Sequence, residues 1–200
     1  QAAIQGAYFA KQMQHLRNEN KLGAFEIDTN LLVFTAWDLG ISDSMAIGFF
    51  QAKPNKEVIC FEHIEETGEG IEFYLDKLRQ IKEKYGFKKY GMHFVPHDIR
   101  VRELGTGRTR FEIMQRAGMN LRIVPRMSVQ ERIQCGRTLL PDMRIHKRCS
   151  RLIRCLDEYH SKTNDKTGTS TGPNHNWASH CFTGDTKILT RNGTCPIIDL

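Results

Sequence analysis

The run Leu31-Leu-Val-Phe-Thr-Ala-Trp37 limits most strongly what this chain can become. It is β-rich and nearly all apolar, without alternation between apolar and polar positions. A strand of that kind must be covered on both faces, which points to the interior of a sheet with helices on either side. It ends in Asp38-Leu-Gly-Ile-Ser-Asp43, a turn-forming stretch.

The neighbouring patterns build out that sheet. Residues 45–51 and 57–64 read as two strands around the turn Lys53-Pro-Asn-Lys56, so a hairpin follows the first strand. Ile71, Tyr74, Leu75, Leu78, Ile81 and Tyr85 recur mostly at three- and four-residue steps, which predicts an amphipathic helix over 69–85 stopped by Gly86. A short strand over 90–95 leads into Pro96-His-Asp98. A helix over 110–117 ends at Gly118, and a strand over 121–124 ends before Pro125. Ser128 with Glu131 forms a capping box for another helix. Helices are also expected over 2–20 and 147–159, and a Ser-, Thr-, Lys-, Gly- and Asn-rich loop over 161–174. Helical crossovers require parallel pairing whereas the hairpin is antiparallel. The fold class is therefore α/β, a mixed sheet flanked by helices.

Charge is segregated along the chain. The 200 residues carry 29 Lys and Arg against 23 Asp and Glu, a net +6. Residues 26–98 carry −5, whereas 99–155 carry +10, and 13 of the 14 bases in that second stretch are Arg. Arg grips phosphate in bidentate fashion, so this stretch reads as a surface for a polyanion. A set of solvated helix faces is the plainer alternative. Hydrophobic residues make up 40%, enough for a core, and no apolar stretch could span a membrane. No secretory leader is read at the start. Most of the six cysteines therefore read as reduced and structural, with Cys181 the exception. The missing initiator Met, and an end inside the patterned run Pro196-Ile-Ile-Asp-Leu200, read as a fragment at both ends.

Asp38 ends the buried strand and Asp98 follows the strand over 90–95. Ligand sites of open sheets collect at strand ends, and two carboxylates there suit Mg²⁺ or Mn²⁺. Two such ions together can hydrolyse a phosphodiester. On spacing alone, Asp38 is equally a turn former before Gly40, and Asp98 the start of a loop.

Thr35-Ala-Trp-Asp-Leu-Gly-Ile-Ser-Asp-Ser-Met-Ala-Ile47, Pro96-His-Asp98 and Val101-Arg-Glu-Leu-Gly-Thr-Gly-Arg108 resemble the nuclease domain of the large terminase subunit of tailed bacteriophages. The similarity runs on through 110–118, 129–140 and Pro173-Asn-His-Asn-Trp-Ala-Ser-His180. It implies an RNase H-like fold and metal-dependent cutting of DNA concatemers during capsid packaging. By that resemblance Asp38 and Asp98 are the first two catalytic, metal-holding aspartates, with Asp43 a further ligand and His97 beside them. Two Mg²⁺ or Mn²⁺ ions are the cofactors. Arg100, Arg102, Arg108 and Arg110 in the Arg-rich stretch are expected to contact double-stranded DNA. The portal and the small terminase subunit are partners of the full-length protein, which would work in the host cell cytoplasm and not at a membrane. Residues 1–25 resemble the connection from a motor ATPase domain, and 26–180 the nuclease domain.

The family's third aspartate, usually in Ala-Asp-Ala, should follow shortly after His175 and His180. Residues 181–200 instead read Cys-Phe-Thr-Gly-Asp-Thr-Lys-Ile-Leu-Thr-Arg-Asn-Gly-Thr-Cys-Pro-Ile-Ile-Asp-Leu. This resembles the first block of an intein, the start of a β-rich Hint domain, with Asp185 belonging to that pattern. It implies a splice junction at His180–Cys181, with Cys181 as the nucleophile and a complementary intein fragment as partner. Without intein resemblance, Cys181 is a buried cysteine before a hairpin turning at Asn192-Gly193. Two further readings stay open: a self-splicing element that uses the terminase portion only as host, and a non-catalytic nucleic-acid-binding module.

Overall fold

A computed structural model describes residues 6–40, 44–55, 57–102, 107–163 and 170–174. In chain order the elements are α1 (Ala10–Asn18), β1 (Leu22–Gly23), β2 (Val33–Asp38), β3 (Ser44–Ala52), β4 (Val58–Thr67), α2 (Ile71–Tyr85) and β5 (Tyr90–Val95). There follow α3 (Arg110–Arg116), β6 (Leu121–Ile123), α4 (Val129–Leu139), β7 (Met143–His146), α5 (Ser150–Glu158), β8 (Ser161–Thr163) and β9 (Ser170–Pro173). Two 3-10 turns cover His97–Arg100 and Leu140–Asp142.

β1 to β7 form one sheet in the order β1-β7-β4-β3-β2-β5-β6. β3 runs antiparallel to both of its neighbours, and the other four pairings are parallel. The apolar run becomes β2, with five of six residues buried. Its alternate side chains feed two different cores, which is why the sequence shows no alternation. Phe34 and Ala36 pack with Met13 and Leu16 of α1, Ile133 of α4, and Leu152 and Leu156 of α5. Val33 and Trp37 pack with Ile71, Tyr74, Leu78 and Ile81 of α2 and with Met114 of α3. Each fully buried side chain of this size contributes about 1.5–3 kcal/mol, so the two cores together hold the three layers.

The predicted helix stop at Gly86 is present: its φ of 68° is left-handed, and its N–H reaches the Lys82 carbonyl. Elsewhere the structure departs from expectation. Residues 161–174 are not simply a loop, because β8 and β9 pair as an antiparallel hairpin. Residues 6–9 are not helical and the first helix starts at Ala10, residues 2–5 of the expected span lying outside the described residues; left-handed Asn20 (φ 53°) lies just past its end. β7 is unforeseen. Its four residues carry little pattern of their own, and they become a strand by parallel pairing with β4 (Val58↔Met143) and β1 (Leu22↔Ile145). Cys60 and Cys149 are free and buried, but Cys135 and Cys155 are each disulfide-bonded, so the reduced state expected for most of the cysteines does not extend to these two.

Candidate active site

Asp38 and Asp98 are brought to one edge by the pairing of β2 with β5. The two strands are parallel, with Thr35 opposite His93 and Ala36 opposite Phe94. Asp38 is the last residue of β2, two positions beyond Ala36. Asp98 lies two residues past Pro96, inside the turn His97–Arg100. The turn is built locally. Pro96 has no N–H with which to continue the ladder. Ile99 donates its N–H to the Pro96 carbonyl (3.3 Å) and Val101 to that of Asp98 (2.9 Å). The fully buried Ile99 side chain ties the turn to the core shared with α2. Two carboxylates sixty positions apart thus end adjacent parallel strands, where open sheets hold ligands. One oxygen of Asp98, Oδ1, is withdrawn from solvent.

A polar relay lies beneath them in the otherwise apolar strands. Trp37 Nε1–H donates to Thr35 Oγ1 (2.8 Å), and Thr35 Oγ1 lies 2.7 Å from Nδ1 of His93. Thr35 and His93 are buried, and burial pushes His93 down to about 4, so the ring is neutral near pH 7. The relay crosslinks the two strands that carry the aspartates. Sequence reasoning did not assign it; the only signals were a Thr interrupting an apolar run and a His inside a strand.

The Arg-rich stretch is divided by the fold. Arg100, Arg102 and Arg108 are exposed on the connection from β5 to α3, and half-buried Arg110 opens α3. Arg100 lies 5.4 Å over the Phe111 ring, and Arg102 bridges to Thr109, the N-cap of α3, whose capping box is completed by Glu112. All four follow Asp98 closely in the chain. The other arm is largely engaged within the protein: Arg144 pairs with Glu57, Arg151 with Glu65, and Arg137 donates to the Tyr8 carbonyl. His97 is exposed in the turn. Asp43, His175, His180, Cys181 and all of residues 181–200 lie outside the described residues.

Among the described residues, no group of three or more His, Cys, Asp and Glu side chains could hold a metal ion. Two carboxylates at an open strand edge still fit Mg²⁺ or Mn²⁺. Such ions are bound by one or two carboxylates and keep positions for water and phosphate.

No protein-family model and no curated protein sequence matches this chain. Solved structures do. The large terminase of a thermophilic bacteriophage superposes with a TM-score of 0.65 at 13% identity, covering 92% of this chain and 44% of that one. The nuclease domain of the P22 large terminase gives 0.58 at 16% identity, over 80% and 81% of the two chains. The large terminase nuclease of thermophilic phage G20c with bound magnesium gives 0.57 at 10% identity, over 91% and 97%. The fold is that of a large terminase nuclease domain. This chain spans 44% of the first of these proteins and nearly all of the G20c nuclease, which has also been solved with cobalt bound. Among the described residues no helix is long and apolar enough to cross a membrane.

Proposed function

We propose that this chain is the metal-dependent endonuclease domain of a phage large terminase subunit, cutting concatemeric double-stranded DNA during genome packaging. The observation that carries the reading is the pair Asp38 and Asp98 at the carboxyl ends of adjacent parallel strands, in a fold shared with terminase nucleases. Asp38 and Asp98 hold the divalent ions, Mg²⁺ or Mn²⁺, with Asp43 contributing from the segment that follows β2 in the chain. Two such ions, if held there, would supply a nucleophile from water and charge to stabilise the departing oxygen of a phosphodiester. Arg100, Arg102, Arg108 and Arg110 draw the DNA backbone to this edge without reading bases, a salt-sensitive mode. The Thr35–His93 bond keeps the two strands, and so the two carboxylates, in register.

The domain division we propose is a lead-in from an ATPase domain over 1–25, a nuclease body over 26–180 and an intein start over 181–200. The full protein would engage the portal and the small terminase subunit in the host cytoplasm. The intein reading rests on sequence. The Cys181 thiolate attacks the His180 carbonyl, the peptide C–N bond breaks, and a thioester forms as the α-amino group of Cys181 is released.

The test is Mn²⁺-dependent plasmid cleavage by the 200-residue chain and by a version that replaces residues 181–200 with a segment continuing through Ala-Asp-Ala. Cleavage that appears only in the second, and disappears with Asp38→Asn, supports the reading. Equal cleavage by both rejects the need for splicing. Binding without cleavage by either favours the non-catalytic module.

A further inference from the structure

A cleft of about 600 Å³ opens on the same edge of the sheet as Asp38. Its walls are the carboxyl end of β4, Ser44 of β3 and the first turn of α5. The strand register gives its position. Ala46 of β3 pairs with Asp38 on one side and with Glu65 on the other. Directly opposed residues share a face, and two strand spacings separate Asp38 from Glu65 by roughly 10 Å.

Four features of the cleft suit an anion. No side chain caps the start of α5, whose first residues Ser150 and Arg151 line the wall, so amide donors and the positive end of the helix dipole face it. His63 lines the wall with its Nε2 buried and without a hydrogen-bond partner, and burial pushes this ring down to about 4, leaving it neutral. Arg148 is engaged with neutral groups. It donates to the Tyr85 hydroxyl, lies 5.2 Å over the Tyr85 ring, and contacts Nε2 of His146 at 2.8 Å. Burial and the Arg148 and Lys147 charges push the pKa of His146 down. Finally, Glu65, the half-buried acid of the wall, is compensated: it accepts two bonds from Arg151 at 2.9 and 3.0 Å, whereas Glu66 is an exposed carboxylate. The hydroxyls of Ser44 and Thr67, bonded to each other at 2.7 Å, stand at the rim.

We propose that this cleft is a subsite for a backbone phosphate of the DNA, with Arg148 as its charge partner and the first turn of α5 supplying amide donors. The proposal rests on the nuclease reading of the adjacent carboxylates.

Binding of a double-stranded oligonucleotide in EDTA, followed by fluorescence anisotropy across a salt series, tests it on the full chain. Arg148→Ala should weaken binding several-fold and lower the salt slope by about one. Arg148→Lys should keep the slope but lose part of the affinity. Inorganic phosphate added to the wild-type chain should shift the Ser150 and Arg151 amide and His63 ring NMR signals in a saturable way, a readout that needs no variant to fold. Unchanged affinity and slope in a folded Arg148→Ala overturns the subsite, as does phosphate that leaves those signals in place. The Asp38→Asn cleavage assay is read separately. Its success beside an unaffected Arg148→Ala removes the subsite alone, whereas its failure removes the nuclease reading.

Discussion

The two arms of the Arg-rich stretch, alike in composition, do different work. Arg100, Arg102 and Arg108 stand exposed just beyond Asp98. Arg144 and Arg151, on β7 and α5 at the far side of the sheet, are spent on Glu57 and Glu65. The +10 counted along the chain is therefore not one surface. Charge in a sequence is additive, but charge available to a ligand depends on which carboxylates the fold brings alongside.

The comparison is tested most severely at the carboxylates beside the exposed arm. In the version continued through Ala-Asp-Ala, Asp38→Asn should lower Mn²⁺-dependent plasmid nicking by at least about a hundredfold while leaving DNA binding in EDTA intact. Loss of binding instead would make Asp38 structural. The relay beneath them gives the next effect. His93 sits at about 4 in the folded chain against the usual 6.5, so the unfolded chain takes up the proton first as pH falls. Its contribution is fully present above pH 6.5 and declines towards pH 4. Urea denaturation at about pH 7 and about pH 4.5 should show wild type losing on the order of 2–3 kcal/mol more than His93→Gln. An identical loss in both would mean His93 does not titrate in this window.

Smaller effects separate the arms themselves. Arg151→Ala should cost on the order of 1–2 kcal/mol, because it strands Glu65, whose side chain is 7% exposed; the 42% exposure of Arg151 keeps the figure below that of a fully buried pair. Arg102→Ala should change stability by less than about 0.5 kcal/mol yet weaken DNA binding a few-fold and lower the salt slope by about one. If thermal melts and anisotropy gave the two variants the same profile, the division between arms would fail.

Much of the central sheet was readable because its patterns are local. The apolar run of β2, the three- and four-residue steps of α2 and the capping box at Ser128 each depend on residues close in sequence. β7 was not readable, since four residues with little pattern become a strand only when β4 and β1 supply partners. Nor were the Thr35–His93 relay, the Glu65–Arg151 pair or the Arg148 environment, which join residues 58, 86 and 63 positions apart.

Burial on two faces and a proline stop are written in neighbouring residues, so a doubly covered strand ending at Asp38 and a later one ending just before Asp98 were legible in the chain itself. That those two strands lie side by side and parallel, and that part of the arginine charge is spent on carboxylates of the same chain, emerged with the folded sheet. Pairing and compensation depend on which distant segments meet, and that is set by the packing of the whole core rather than by any one stretch of chain.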